Sequence, residues 1–158
     1  MKRRVLVACF SLMAAPALAC TSMPDHWRDD PQTMVARTPT IVLAKVASIR
    51  EGMVQLESVK AVRGKPARTF SVRGWADKKN RGDFSGHKDP RFWALEVSNT
   101  VWPGDCSAYG EFIVGEMYLV FLDGPNYPRS FENIRSEDDL WYQTIARAVD
   151  ALRAKGAR

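Results

Sequence analysis

Cys20 carries more chemistry by type and position than any other residue in this chain of 158. It follows Ala17-Leu18-Ala19, and ahead of that lie Lys2-Arg3-Arg4 and an apolar run over residues 5–15. A basic start, a short apolar stretch and an A-x-A site make a secretory signal, so residues 1–19 are expected to be removed and the mature chain, 20–158, to open on a cysteine. Such a residue offers a thiol and a free α-amine together. Cys9 leaves with the signal, so Cys20 and Cys106 remain as an even pair in an exported chain, which predicts a disulfide between them. In the chain-entropy account a loop of that length is worth about 4–5 kcal/mol. The alternative fate is lipidation of the Cys20 sulfur, a membrane anchor that leaves Cys106 as an odd thiol. Leu18 fits that second signal poorly.

The other chemistry-bearing residues are sparse. There is no H-E-x-x-H, no G-x-S-x-G and no phosphate-cradling glycine loop, and the two histidines, His26 and His87, lie far apart in sequence. The chain therefore reads as non-enzymatic and needing no cofactor. His26 is expected to pack behind the N-terminal segment, and His87, near Asp83 and Asp89, to sit in a solvated loop. Trp75, Phe84, Phe92, Trp93 and Trp102 gather around one polar stretch. Exposed rings on a small barrel bind sugars, so an exported carbohydrate-binding module is a second functional class; buried rings would instead close the barrel's ends. Loss of Lys2, Arg3 and Arg4 lowers the net charge from +5 to +2, which does not point to nucleic acid. No other apolar stretch approaches the roughly 20 residues that span a bilayer. A secreted or periplasmic single domain is expected.

Residues 40–60 alternate as a hairpin. Ile41, Val42, Leu43, Val46 and Ile49 form one arm, Glu51-Gly52 the turn, and Met53, Val54, Leu56 and Val59 the other. Gly64-Lys65-Pro66 breaks the pattern. A third strand is predicted over 70–73, a fourth where Trp93, Leu95 and Val97 alternate, and a strand buried on both faces over 117–122, stopped by Asp123-Gly124-Pro125. Residues 75–90 read as a long exposed loop. Asp30 and Pro31 predict a cap and first residue for a short helical turn through Ala36. A C-terminal helix over 137–154, capped by Ser136, is predicted from the spacing of Leu140, Trp141, Ile145, Ala148, Val149 and Leu152. Several short strands and one terminal helix suggest an all-β small barrel.

From Cys20 the chain runs C-T-S-M-P-D-H, then Pro31-Gln32, then Ala44-Lys45-Val46 in the first strand; Arg63-Gly64 and the set Cys106, Phe112, Gly115, Tyr118 and Leu119 follow. These positions resemble the N-terminal domain of the tissue inhibitors of metalloproteinases, within the netrin-like group. The resemblance covers most of residues 20–122 and implies an OB-like five-stranded barrel with the N-terminal segment strapped across it. It also implies a function. In such inhibitors the α-amine and carbonyl of the first cysteine chelate the catalytic zinc of a protease, here Cys20, and the next residue, here Thr21, enters the specificity pocket, with Ser22, Met23 and Pro24 flanking. A secreted zinc metalloprotease is the implied partner. Ser22 and Ala36 stand where those inhibitors have two further cysteines, and Ser107 where the group has glycine. Of the family's disulfides, the one left is Cys20–Cys106.

Overall fold

The computed structural model describes residues 29–76, 110–127 and 129–156. The signal segment, Cys20 to Pro24, His26, the stretch 77–90 with His87 and Phe84, the predicted strand at 93–97, Phe92, Trp102 and Cys106 lie outside the described residues.

Helix α1 covers Pro31–Arg37 and starts where its cap chemistry requires. One carboxylate oxygen of Asp30 accepts the backbone N–H of Gln32 at 2.8 Å and of Thr33 at 3.1 Å, and the other accepts the Thr33 hydroxyl at 2.9 Å. These bonds hold the Asp30 carboxyl below the usual carboxylate range. Pro31 costs nothing at the first helical position, whose N–H has no intrahelical partner. The helix buries Met34 and Val35 and ends one residue later than its spacing predicts.

Strands β1 (Thr40–Arg50) and β2 (Met53–Arg63) form the predicted hairpin. Glu51 and Gly52 both take positive φ, 51° and 75°, the two-residue turn whose twist matches the strands. Three register shifts along this pair bend it, which a flat ladder could not do. Strand β3, Thr69–Ala76, pairs antiparallel with β2. Trp75 and Ala76 therefore belong to a strand; a loop starting at residue 75 is incorrect, because the ladder to β4 (Gly110–Phe112) holds them. That pairing is parallel. Strand β5, Met117–Leu122, lies antiparallel on the other side of β1, and β6, Phe131–Asn133, pairs with β5.

The order β4-β3-β2-β1-β5-β6 gives six strands among the described residues, where five were expected. Four of the five predicted strands fall on described residues, and β4 and β6, each three residues long and too short for a hydrophobic period to register, add the other two. The sheet curls until its edges meet: the ring centroids of Phe112 on β4 and Phe131 on β6 are 5.6 Å apart. It is a mostly β, nearly closed barrel-like sheet.

Its two faces bury two cores. Val42, Ala44, Val46, Val54, Leu56, Phe112, Tyr118, Val120 and Phe131 fill the interior. Ile41, Leu43, Leu119 and Phe121, the alternate residues of β1 and β5, face the helices instead. This explains the unbroken apolar run of β5, whose inward and outward residues are both buried.

Helix α2, Leu140–Gly156, lays Trp141, Tyr142, Ile145, Ala148 and Val149 on that outer core beside α1. Its cap is Asp139 rather than Ser136. Asp139 Oδ1 accepts the N–H of Trp141 at 2.9 Å and of Tyr142 at 3.4 Å, while the Ser136 carbonyl accepts Asp139 N–H in a preceding turn. Ser136, Asp138 and Asp139 all carry capping side chains, and the one nearest the buried Trp141 prevails. Glu137 consequently lies before the helix, where its carboxylate meets Lys60 at 2.6 Å. No described helix is long and apolar enough to cross a membrane.

Candidate functional site

Two places on this barrel have the makings of a site. The first is the entry to α1, where the chain arrives from Cys20. The Arg37 guanidinium pairs with Asp29 at 2.9 Å, and the Tyr127 hydroxyl donates to the same carboxylate oxygen at 3.2 Å. Tyr127 is buried, its ring edge-on to Phe121 at 6.3 Å, and its backbone N–H is held by Ser130 Oγ at 2.8 Å. Burial and the adjacent Asp29 charge push its phenol up to about 12. Arg63, singled out with Gly64 in the sequence, donates to the Thr38 carbonyl at 2.8 Å. Gly64 itself has φ +72°, and a Cβ there would lie 2.5 Å from the Pro39 carbonyl oxygen. Together these contacts fix residues 29 and 37–40 at one end of the barrel.

Gly110 lies toward the opposite end. It is paired with Gly74, whose N–H donates to the Gly52 carbonyl in the β1–β2 turn at 3.0 Å. The turn that follows β4 is set by Gly115, at φ +89°, and by the Tyr118 hydroxyl, which accepts Ile113 N–H at 2.9 Å. Phe112, Gly115, Tyr118 and Leu119 thus have structural work at the rim and core of the barrel.

The second place is an open groove of about 320 Å³ beside the hairpin turn, lined by Glu51, Gly52, Met53, Arg73, Gly74 and Trp75. Trp75 is 58% exposed and Met53 44%. The Trp75 ring lies over the turn: a Cβ on Gly52 would stand 3.4 and 3.5 Å from its outer carbons. Met53 and Arg73 are cross-strand partners, as are Gln55 and Ser71, whose side chains share a 2.6 Å hydrogen bond.

A buried ion pair lies elsewhere. Arg129 and Glu132 meet at 3.2 Å, with the guanidinium 5.8 Å from the Trp141 ring; burial pulls the Arg129 affinity for its proton down and Glu132 opposes that. It is walled in by β6 and α2. Among the described residues, no three His, Cys, Asp or Glu side chains converge to hold a metal ion.

The chain matches no family model, no curated protein and no solved structure. Cys20, Thr21, Ser22, Met23, Pro24 and Cys106 lie outside the described residues, so the geometry bears on them only through the points at which the barrel holds their neighbours. Of the aromatic residues noted in the sequence, Trp75 is described and exposed. Asp29, Arg37 and Tyr127 escape a sequence reading because they converge from three separate segments. Glu51 and Met53 had a signal available, since they lie in and directly after a two-residue turn, whereas Arg73 joins them through the β2–β3 register.

Proposed function

We infer that the chain, once cut after Ala19, is an exported netrin-like domain that acts through protein contacts, and that its sharpest activity is inhibition of a secreted zinc metalloprotease. On this reading the barrel is OB-like, Cys20 is bridged to Cys106, and Cys20 to Pro24 form the contacting segment. The observation that carries it is the clamp on Asp29. A wedge that competes for a metal must be held before it docks, since ordering it on binding would weaken the complex. Arg37 and Tyr127 hold the chain nine residues downstream of Cys20.

The lengths support the strap. Nine extended residues reach about 30 Å and the four from Cys106 to Gly110 about 13 Å. Strand β1, 11 residues long, separates the two anchorages by roughly 36 Å. The combined lengths therefore suffice to span that distance with a little slack. At such a tip the α-amine, with an ordinary pKa near 8, yields its lone pair readily to the open position of a catalytic zinc.

The test compares the correctly processed chain with a form carrying one extra alanine ahead of Cys20, against a panel of secreted zinc proteases. Inhibition by the first and none by the second, at equal melting temperature, is expected. Equal inhibition by both rules out chelation, and no inhibition by either rules out the activity. The intact mass of the protein from its native compartment separates a bridged Cys20 from a lipidated one.

A further inference from the structure

Among the described residues, the outer face of β2 and β3 carries the most exposed tryptophan beside a row of polar side chains. Along β3 the inward residues Phe70, Val72 and Gly74 are covered, while Thr69, Ser71, Arg73 and Trp75 point outward. Their partners on β2 are Glu57, Gln55 and Met53. The face is thus a row of hydroxyl, amide, carboxylate and guanidinium groups that ends on a tryptophan more than half exposed. From Thr69 to Trp75 the row runs about 20 Å.

We propose that this face binds a neutral polysaccharide chain, with one sugar ring stacked on Trp75 in the groove beside Glu51 and Arg73. The inference is independent of the inhibitor reading. A sugar presents an apolar C–H face and a rim of hydroxyls, each both donor and acceptor. The groove offers the complement: an indole backed by the Gly52 turn, a carboxylate that accepts, and a guanidinium with five N–H donors. Its volume of about 320 Å³ suits a small ring system rather than a large ligand.

Other occupants fit less well. A protein partner needs roughly 800 Å² with an apolar centre, whereas the large exposed apolar residues of these strands sit apart, Met53 and Trp75 at one end and Val59 beyond the polar row at the other. A single nucleic-acid strand needs several cations along its phosphates, and Glu51 and Glu57 lie on this face with Arg73.

The experiment uses the processed chain with insoluble cellulose and chitin in pull-down, and with cellohexaose and chitohexaose in titration calorimetry. The wild type is expected to be retained by at least one polymer, Trp75→Ala to bind about tenfold or more weakly, Trp75→Phe to keep most of the affinity, and Val114→Ala, an exposed apolar residue outside the face, to bind like wild type. The form with one alanine ahead of Cys20 should bind sugar normally whatever it does to proteases. No retention on either polymer, or equal retention of Trp75→Ala, overturns the proposal. So does tighter, salt-sensitive binding of a single-stranded oligonucleotide.

Discussion

Tyr127 should make the protein lose stability in alkali over a defined pH window. Its phenol has a pKa of about 12 in the folded state and ionises near 10 when the chain unfolds. Between those values the unfolded chain releases a proton that the folded chain keeps. The unfolded state then binds fewer protons, so stability falls as pH rises from about 10 to about 12 and is fully present below 10. Two pH units correspond to at most about 3 kcal/mol. Tyr127→Phe removes this dependence along with the hydrogen bond to Asp29. At neutral pH that bond is worth about 1–2 kcal/mol, because its acceptor is charged while Arg37 still holds the carboxylate. The variant should begin less stable, decline less steeply and overtake the wild type near pH 11. Urea unfolding at half-unit steps from pH 8 to about 12 measures both curves, and phenolate absorbance counts the ionisations. The other tyrosines are common to both proteins and drop out of the difference. Parallel curves would refute the reasoning, since they would mean that burial and the Asp29 charge do not hold the proton on Tyr127.

Two further perturbations probe the frame. Gly64→Ala combines positive φ with a Cβ 2.5 Å from a backbone oxygen, whereas Gly115→Ala meets the same φ penalty in open space. Thermal melts should put Gly115→Ala about 1 kcal/mol below wild type and Gly64→Ala about 3 kcal/mol or more below; equal losses would show that the Pro39 contact relaxes freely. Asp139→Ala should lose about 1 kcal/mol and weaken the first turn of α2 in amide exchange, while Ser136→Ala should change neither.

What could be read from the sequence was what local chemistry decides. Asp30-Pro31 announced α1 because a carboxylate facing free N–H groups and a ring lacking one need no distant partner. Glu51-Gly52 announced its turn in the same way, and the run 117–122 its two-sided burial. The sequence alone does not place the cap of α2, because Ser136 and Asp139 are both competent and the choice depends on where Trp141 packs. Strands β4 and β6 were missed for a different reason. Each spans three residues and exists through pairing with an edge already built, β3 or β5. The candidate sites divide similarly. Trp75 could be named from its type, but its exposure over the hairpin turn follows from a β2–β3 register that no single segment encodes. The Asp29 clamp needs three segments at once.

Burial of β1 and β5 on both faces has a kinetic consequence. In a half-exposed strand, sliding by one residue throws apolar groups into water, and that cost enforces the register. Here the penalty is muted: shifting β5 by one along β1 exchanges the set Tyr118 and Val120 for Leu119 and Phe121, and both sets find apolar surroundings. Alignment must come from elsewhere. The Glu51-Gly52 turn forms locally, on the microsecond scale of hairpins, and sets β1 against β2 before β5 arrives from some 60 residues away. Docking of β5 is then the step at which burial pattern discriminates least between registers. The mark of the correct pairing lies at the turn before β5, where Val46 N–H donates to the Glu116 carbonyl at 3.0 Å and the Val46 carbonyl accepts the N–H of Gly115, a residue held at positive φ.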